Sequence, residues 1–194
     1  MHDIEPYYHW RNHYVVEEDE LSPFFGRDYD QFYFSNKIYN YYIHPQWDEF
    51  GSDTLYLKIL YADYEDGFCI IELMGEWNDC LHNDVMYLKR KVLDVLMYRG
   101  IHKFALIGEN VLNFHGGDDD YYEEWYENTL DNGGWVIFLN MHQHVYEEMI
   151  NSRLHHYVHL LPQLMNYEWR KQTPDNLFKT FDALMNKQKY IETE

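Results

Sequence analysis

The sequence predicts an α/β fold, in which a mixed sheet of four to five strands is flanked by helices over residues 51–161. After residue 54, apolar runs of strand length alternate with segments of helical periodicity. Glycines lie at the predicted boundaries between these elements, at Gly75, at Gly100 and at the pair Gly133 and Gly134. An apolar fraction of 46% in 194 residues is enough for one domain with a packed core and an extension at each end.

The first elements are a predicted hairpin and a helix. The runs TLYLKILY at 54–61 and FCIIELM at 68–74 flank a short connection with Asp and Gly, which is typical of a β-hairpin. Asn78 or Asp79 can cap the next helix, because a short side-chain oxygen accepts an unpaired N–H of the first turn. Gly100 ends that helix. Its predicted inner stripe is Leu81, Val85, Leu88, Val92 and Leu96.

The second half continues the strand and helix cycle. KFALIGENVL at 103–112 predicts a central strand covered on both faces, and WVIFLN at 135–140 predicts the next one. Between them, three aspartates favour a helix N-terminus, and Gly133 and Gly134 end that helix. Residues 142–151 predict another helix, and YVHLL at 157–161 a last short strand. The inner side of the middle helix is predicted to be Tyr121, Tyr122, Trp125 and Thr129.

Two extensions flank the α/β region. Residues 1–50 form an aromatic-rich N-terminal extension, with an exposed loop at 17–20 and an edge strand or hairpin at 31–43. We interpret it as an added core layer over the sheet; an exposed aromatic patch for protein contacts is the alternative. Residues 162–194 form a C-terminal extension with a frayed end at 191–194. Its helix could dock on its own domain or on a second copy, as a homodimer, through Leu177, Phe178, Phe181, Leu184 and Met185.

Charge and composition restrict the partners. With 34 acidic against 15 basic residues, the net charge of −19 repels nucleic acid and anionic lipid. We interpret the acidic face as a solvated surface that keeps the protein soluble; a docking surface for a basic protein partner is the alternative. No apolar run reaches membrane-spanning length and the N-terminus lacks an export signal, which predicts a cytoplasmic protein. Cys69 is expected to be buried, and Cys80 lies near a helix start. No motif predicts a cofactor.

Three segments carry a family resemblance: FCIIELMGEWND at 68–79, KFALIGENVLNF at 103–114 and NGGWVIFLNMHQHVYEEM at 132–149. Their order resembles the STAS domain, the fold of bacterial anti-sigma factor antagonists, over roughly half the chain. The resemblance implies a non-enzymatic regulatory module that binds a protein partner. In those antagonists, a loop after the third strand carries a Ser or Thr that a kinase phosphorylates. The comparable residues here, His115 to Asp118, contain no hydroxyl, so this chain lacks the phosphorylation switch.

The candidate partner-binding site is that loop and the helix start beside it. His115 stands at the carboxyl end of a strand, where ligands gather in open α/β sheets, and glycines there allow close approach. The acids either present a permanently anionic version of the switch surface or simply cap the helix. The predicted site residues are His115, Gly116, Gly117, Asp118, Asp119 and Asp120.

Histidine spacing suggests an alternative function, a small metal-dependent or His/acid hydrolase that uses His115, His142 and His144. His142 and His144 would align along a strand, whereas His155 and His159 would share a helical face. These four are the candidate metal ligands. The sequence has no HExxH motif and no Ser, His, acid order, so an interaction module is the first hypothesis.

Overall fold

The computed structural model describes residues 4–30 and 32–192. It has an α/β architecture with one four-stranded mixed sheet and a small antiparallel ribbon. The strands are β1 Lys37–Ile38, β2 Tyr41–Tyr42, β3 Leu55–Asp63, β4 Phe68–Asn78, β5 Lys103–His115 and β6 Trp135–Leu139. The large sheet has the order β3-β4-β5-β6, in which β3 and β4 are antiparallel and the other neighbours are parallel.

Helices connect the parallel strands and close the chain. Short 3₁₀ turns at Leu154–His156, Pro162–Leu164 and Trp169–Lys171 lie between the last two helices. No helix of residues 4–30 and 32–192 is long and apolar enough to cross a membrane. The helical elements are α1 Asp79–His82, α2 Asp84–Leu88, a π turn Lys89–Leu93, α3 Asp94–Tyr98, α4 Asp120–Leu130, α5 Gln143–Asn151 and α6 Pro174–Glu192.

Both faces of the sheet are buried, as the apolar strand sequences predict. On one face, sheet residues such as Leu73 and Leu106 pack with Val85, Trp125 and Met149 from the connecting helices. The opposite face is covered by the two extensions. There, Ile70, Ile107 and Ile137 pack in one cluster with Trp10, Trp169, Leu177, Phe181 and Met185. The C-terminal helix therefore docks on its own domain.

The aromatic side chains of the N-terminal extension are buried in one part and exposed in another. Trp10, Phe24 and Phe50 are buried and belong to the core, whereas Phe32 and Tyr33 are exposed. The predicted hairpin at 31–43 is reduced to the two-residue strands β1 and β2, and Gln31 lies outside the described residues. At the other end, the predicted frayed tail includes residues 193–194, which also lie outside the description.

The predicted helix after β4 is wrong in one respect, because it is not continuous. Asn78 caps α1, since its Oδ1 accepts the Leu81 N–H at 2.9 Å. Asn83 then adopts a left-handed conformation with φ +54°, which Asn tolerates better than most residues, and ends α1 after one turn. Leu81 is consequently exposed, whereas the rest of the stripe, Val85, Leu88, Val92 and Leu96, is buried as predicted.

Three further predictions are corrected by the structure. Residues 157–161 do not form a strand; His159 makes a single parallel bridge with Ile137. His155 lies in a 3₁₀ turn, so it shares no helical face with His159. His142 and His144 lie at the start of α5, not along a strand. On the middle helix, Tyr122, Trp125 and Thr129 are buried as expected, while Tyr121 is only partly buried.

Candidate functional site

The candidate site lies where β4 and β5 end side by side. The two parallel strands stay paired to their last residues through two register shifts, one between Glu72 and Met74 and one between Gly75 and Glu76, which bring Asn78 opposite His115. The neighbouring strand β6 is shorter, because its last residue, Leu139, pairs with Ile107. Residues 108–115 of β5 therefore extend beyond β6 and carry His115 to the rim of the sheet. This rim is the carboxyl edge, where open α/β sheets place their ligands.

A histidine and a carboxylate form a pair at the rim. The Nε2 atom of His115 lies 3.1 Å from Oε1 of Glu76, the residue two positions before the end of β4. The Tyr39 hydroxyl, from the turn between β1 and β2, donates a hydrogen bond to the other carboxylate oxygen of Glu76. This bond raises the pKa of Tyr39, so the phenol remains a neutral donor. The ribbon of the N-terminal extension thus contacts the predicted site through Glu76.

Two glycines seat the loop after β5 against the protein. A Cβ atom on Gly116 would lie 2.4 Å from Oγ of Ser152, at the end of α5. A Cβ atom on Gly117 would lie 2.9 Å from the backbone of Asp79. Both distances are shorter than the contacts that Cβ atoms make in proteins. A side chain at either position would therefore push the loop outward. The glycines therefore serve close approach within the chain.

The three aspartates after the glycines have different environments. Asp119 is the N-cap residue of α4, and its carbonyl accepts the N–H of Tyr122 at 2.9 Å. Its carboxylate does not cap the helix; it accepts the Tyr157 hydroxyl at 2.8 Å. The carboxylates of Asp118 and Asp120 make no hydrogen bond or ion pair with any described residue. Asp118 and Asp120 are exposed, so two unpaired negative charges stand at the start of α4.

A buried carboxylate supports this loop from below. Asp79 accepts hydrogen bonds from the Trp77 indole at 2.9 Å, the Val85 N–H at 2.8 Å and the Tyr122 hydroxyl at 2.7 Å. Burial nevertheless raises the pKa of Asp79 to about 6. Asp79 therefore connects the end of β4 to α2 and to α4 through hydrogen bonds. Its backbone is also the surface against which Gly117 packs.

Asp84 completes the support under the rim. Its Oδ2 accepts the backbone N–H of Asn78 at 2.7 Å, and burial raises the pKa of Asp84. Sequence reasoning considered Asp79 only as a helix cap and gave Asp84 no role. The signal was the second Asn-Asp pair at residues 83–84, which marks a second helix start.

A second polar cluster, also missed from the sequence, lies on the opposite face of the sheet. Glu72 of β4 is buried, and burial raises the pKa of Glu72 to about 7. Its carboxylate accepts the Tyr7 N–H at 2.8 Å and lies 3.3 Å from the Asn110 amide. The Arg170 guanidinium lies 3.9 Å from Glu72 and also pairs with Glu109. This cluster joins the two extensions to the sheet.

The four candidate metal ligands do not converge. The rings of His142 and His144 stack with centroids 5.7 Å apart, and Nε2 of His144 lies 2.7 Å from the Leu112 carbonyl. The ring of His155 packs against that of His156. Within residues 4–30 and 32–192, no group of three or more His, Cys, Asp or Glu side chains is arranged to hold a metal ion.

Neither a family model nor a curated protein matches the chain.

Proposed function

We propose that the protein is an interaction module that binds a basic protein partner through the acidic rim, defined as Tyr39, Glu76 and residues 115–120. The main support for the proposal is that two carboxylates, those of Asp118 and Asp120, have no partner among the described residues. They lie on a loop that two glycines allow to pack closely against the protein. A loop that is already positioned loses little conformational entropy on binding, and loops on a rigid scaffold commonly carry function.

Charge supports a basic partner. The chain has a net charge of −19, which accelerates encounter with a positively charged surface and repels nucleic acid. At the rim, Asp118 and Asp120 add to the negative field, and Tyr39 offers an exposed aromatic ring next to Glu76. An Arg-rich or Lys-rich surface matches this combination, because such side chains pair with carboxylates and pack on aromatic rings.

The regulatory part of the proposal rests on the STAS resemblance. The hairpin β3–β4, a helical segment, β5, α4, β6 and α5 follow one another in the order that prompted it. In this view, the carboxylates of Asp118 and Asp120 provide a constant negative charge at the helix start where the antagonists carry a phosphorylated hydroxyl. A cytoplasmic location and the absence of a phosphorylation switch belong to the same proposal.

The alternative function, a His/acid hydrolase, draws on the pair formed by His115 and Glu76. An imidazole 3.1 Å from a carboxylate has the geometry of a general base with its orienting acid. A panel of ester and phosphoester substrates would test it, with His115→Gln as the comparison. Turnover by the wild type that His115→Gln removes would favour the hydrolase over the interaction module.

The test of the interaction module is a quantitative pull-down from native lysate with Asp118→Asn/Asp120→Asn. This double variant removes two charges and leaves the hydrogen bond between Asp119 and Tyr157 in place. The matched control is Glu18→Gln/Glu20→Gln, which removes two exposed charges from the N-terminal loop. We expect the control to retain a stoichiometric basic partner and the rim variant to lose it. Equal recovery by both variants would refute the acidic rim as the binding surface.

A further inference from the structure

Four aromatic side chains of the N-terminal extension surround one open cavity of about 350 Å³: Phe32, Tyr33, Phe34 and Tyr42. The Asp30 carboxylate orders the first two, because its Oδ1 accepts the backbone N–H of Phe32 at 2.8 Å and that of Tyr33 at 2.9 Å. Phe34 packs edge-on against the buried His44 ring, with centroids 5.4 Å apart. Phe32 and Tyr33 are 88% and 75% exposed, so the cavity is open to a ligand.

The electrostatics of this aromatic cavity favour a cation. The faces of aromatic rings carry negative potential and attract ammonium groups within about 6 Å of the centroid. The ring of Tyr42 already holds such a group, since the Lys37 ammonium lies 4.3 Å from its centroid, which leaves Phe32, Tyr33 and Phe34 for a ligand. None of the four lining residues is basic, and the Asp30 carboxylate is held next to two of them by the backbone N–H groups of Phe32 and Tyr33. The protein as a whole, at −19, strengthens the preference.

We infer that the aromatic cavity binds a quaternary or methylated ammonium group. A bare ammonium is strongly hydrated and needs several hydrogen-bond acceptors, which walls made of rings supply poorly. A trimethylammonium group has no N–H, fills apolar space with its methyl groups and retains its positive charge. Clusters of aromatic rings recognise such groups. The inference is independent of the acidic rim, because none of the rim residues lines the cavity.

The test is an NMR titration of the full chain with choline. The comparison ligand is the neutral alcohol in which a quaternary carbon replaces the choline nitrogen, so shape is kept and charge is removed. We expect saturable shifts of tyrosine ring signals with choline and about tenfold weaker binding of the alcohol. Equal binding of the two ligands, or no saturable binding of choline, would overturn the inference.

Variants locate the binding. Phe32→Leu/Tyr33→Leu retains apolar side chains and removes two ring faces, and both positions are exposed, so folding is preserved. The control is Tyr98→Leu, which removes an exposed ring from α3. Choline affinity should fall about tenfold in the double variant and stay unchanged in the control. Equal affinities in all three proteins would place choline elsewhere and refute the assignment.

An experiment with peptides distinguishes two sources of the ammonium group, a modified protein and a small molecule. A short peptide with one trimethyllysine, compared with its unmethylated form and with free choline, reports whether the cation comes from a modified protein. Tighter binding of the methylated peptide than of choline would identify a modified protein. Tighter binding of choline would identify a small molecule. The Asp118→Asn/Asp120→Asn variant should bind choline as the wild type does, so failure of the proposed function would leave this result standing.

Discussion

The carboxylate of Glu72 accepts the backbone N–H of Tyr7 at 2.8 Å, across 65 positions of sequence. Glu72 lies inside β4 with 1% of its surface exposed, and Arg170 approaches the same carboxylate from the C-terminal extension. One buried acid therefore contacts both segments that cover this face of the sheet. Its charge state consequently affects how firmly the extensions are attached.

We predict that the protein becomes less stable as the pH rises from about 4.5 to 7. Burial raises the pKa of Glu72 from 4.5 to about 7, so the folded chain binds more protons than the unfolded chain in that window. Asp79, raised from 3.8 to about 6, acts in the same direction. The free energy of unfolding, measured with denaturant at several pH values, should therefore decline across this range and level off above it.

Glu72→Gln isolates the contribution of Glu72. The amide mimics the protonated carboxyl and stays neutral at every pH. Between about pH 4.5 and 7, the free energy of unfolding of Glu72→Gln should therefore fall by on the order of 1–3 kcal/mol less than that of the wild type. Glu127→Gln removes an exposed charge from α4 and should retain the wild-type slope. If both variants showed the same slope as the wild type, Glu72 would not be the group that titrates.

Two adjacent glycines that end α4 should respond differently to alanine. Gly133 has φ +69° with no atom within 4 Å of a Cβ, so Gly133→Ala meets only the cost of a left-handed residue, about 1–2 kcal/mol. A Cβ on Gly134 would lie 1.8 Å from the His102 carbonyl, which accepts the Trp135 N–H. Gly134→Ala should therefore cost about 3 kcal/mol or more, because backbone must move. Thermal unfolding of the two variants compares them, and equal losses would contradict the steric argument.

Much of the α/β region was predictable because its signals are local. The Asn78 cap, the start of α4 at the aspartates, the two glycines after α4 and the buried face of α6 all depend on residues within a few turns of each other. The break at Asn83 was missed. The apolar stripe from Val85 to Leu96 continues smoothly through the π turn, so its periodicity gives no sign that α1 is a separate turn.

The candidate site was predictable in position but not in pairing. The end of a predicted strand located His115, whereas its contact with Glu76 depends on the register of β4 against β5, which no local pattern encodes. The buried role of Glu72 was hidden for the same reason. An acid within a strand has the appearance of a solvent-facing position, and its partner Tyr7 is distant in sequence.

A further prediction concerns a buried lysine in the π turn. The Lys89 side chain is fully buried, and its ammonium pairs with Asp94 and, at 3.2 Å, with Glu124. Asp94→Asn/Glu124→Gln leaves that ammonium without a counter-charge, which should cost about 3–5 kcal/mol. Lys89→Met removes the buried charge and leaves carboxylates that are partly exposed and still contact Arg90, so it should cost less than about 2 kcal/mol. Denaturant unfolding ranks the two, and a reversed order would show that Lys89 is not the costly partner.

The last prediction concerns the buried carboxylate under the acidic rim. Tyr122→Phe removes the hydroxyl that donates to Asp79 at 2.7 Å while the ring keeps its packing beside Trp77. Because the lost hydrogen bond favours the ionised carboxylate, the pKa of Asp79 should rise further above about 6.

The Tyr122→Phe variant should also lose about 1–3 kcal/mol of unfolding free energy at neutral pH, where Asp79 is ionised in the wild type, and less at pH values near 5. Tyr157→Phe is the matched control, since it removes a hydroxyl bonded to the more exposed Asp119. Denaturant unfolding at the two pH values, together with NMR titration of the Asp79 carboxyl, measures both effects. A loss that is the same at both pH values would contradict the prediction, because the ring packing is unchanged in the variant and the loss would then not depend on the ionisation of Asp79.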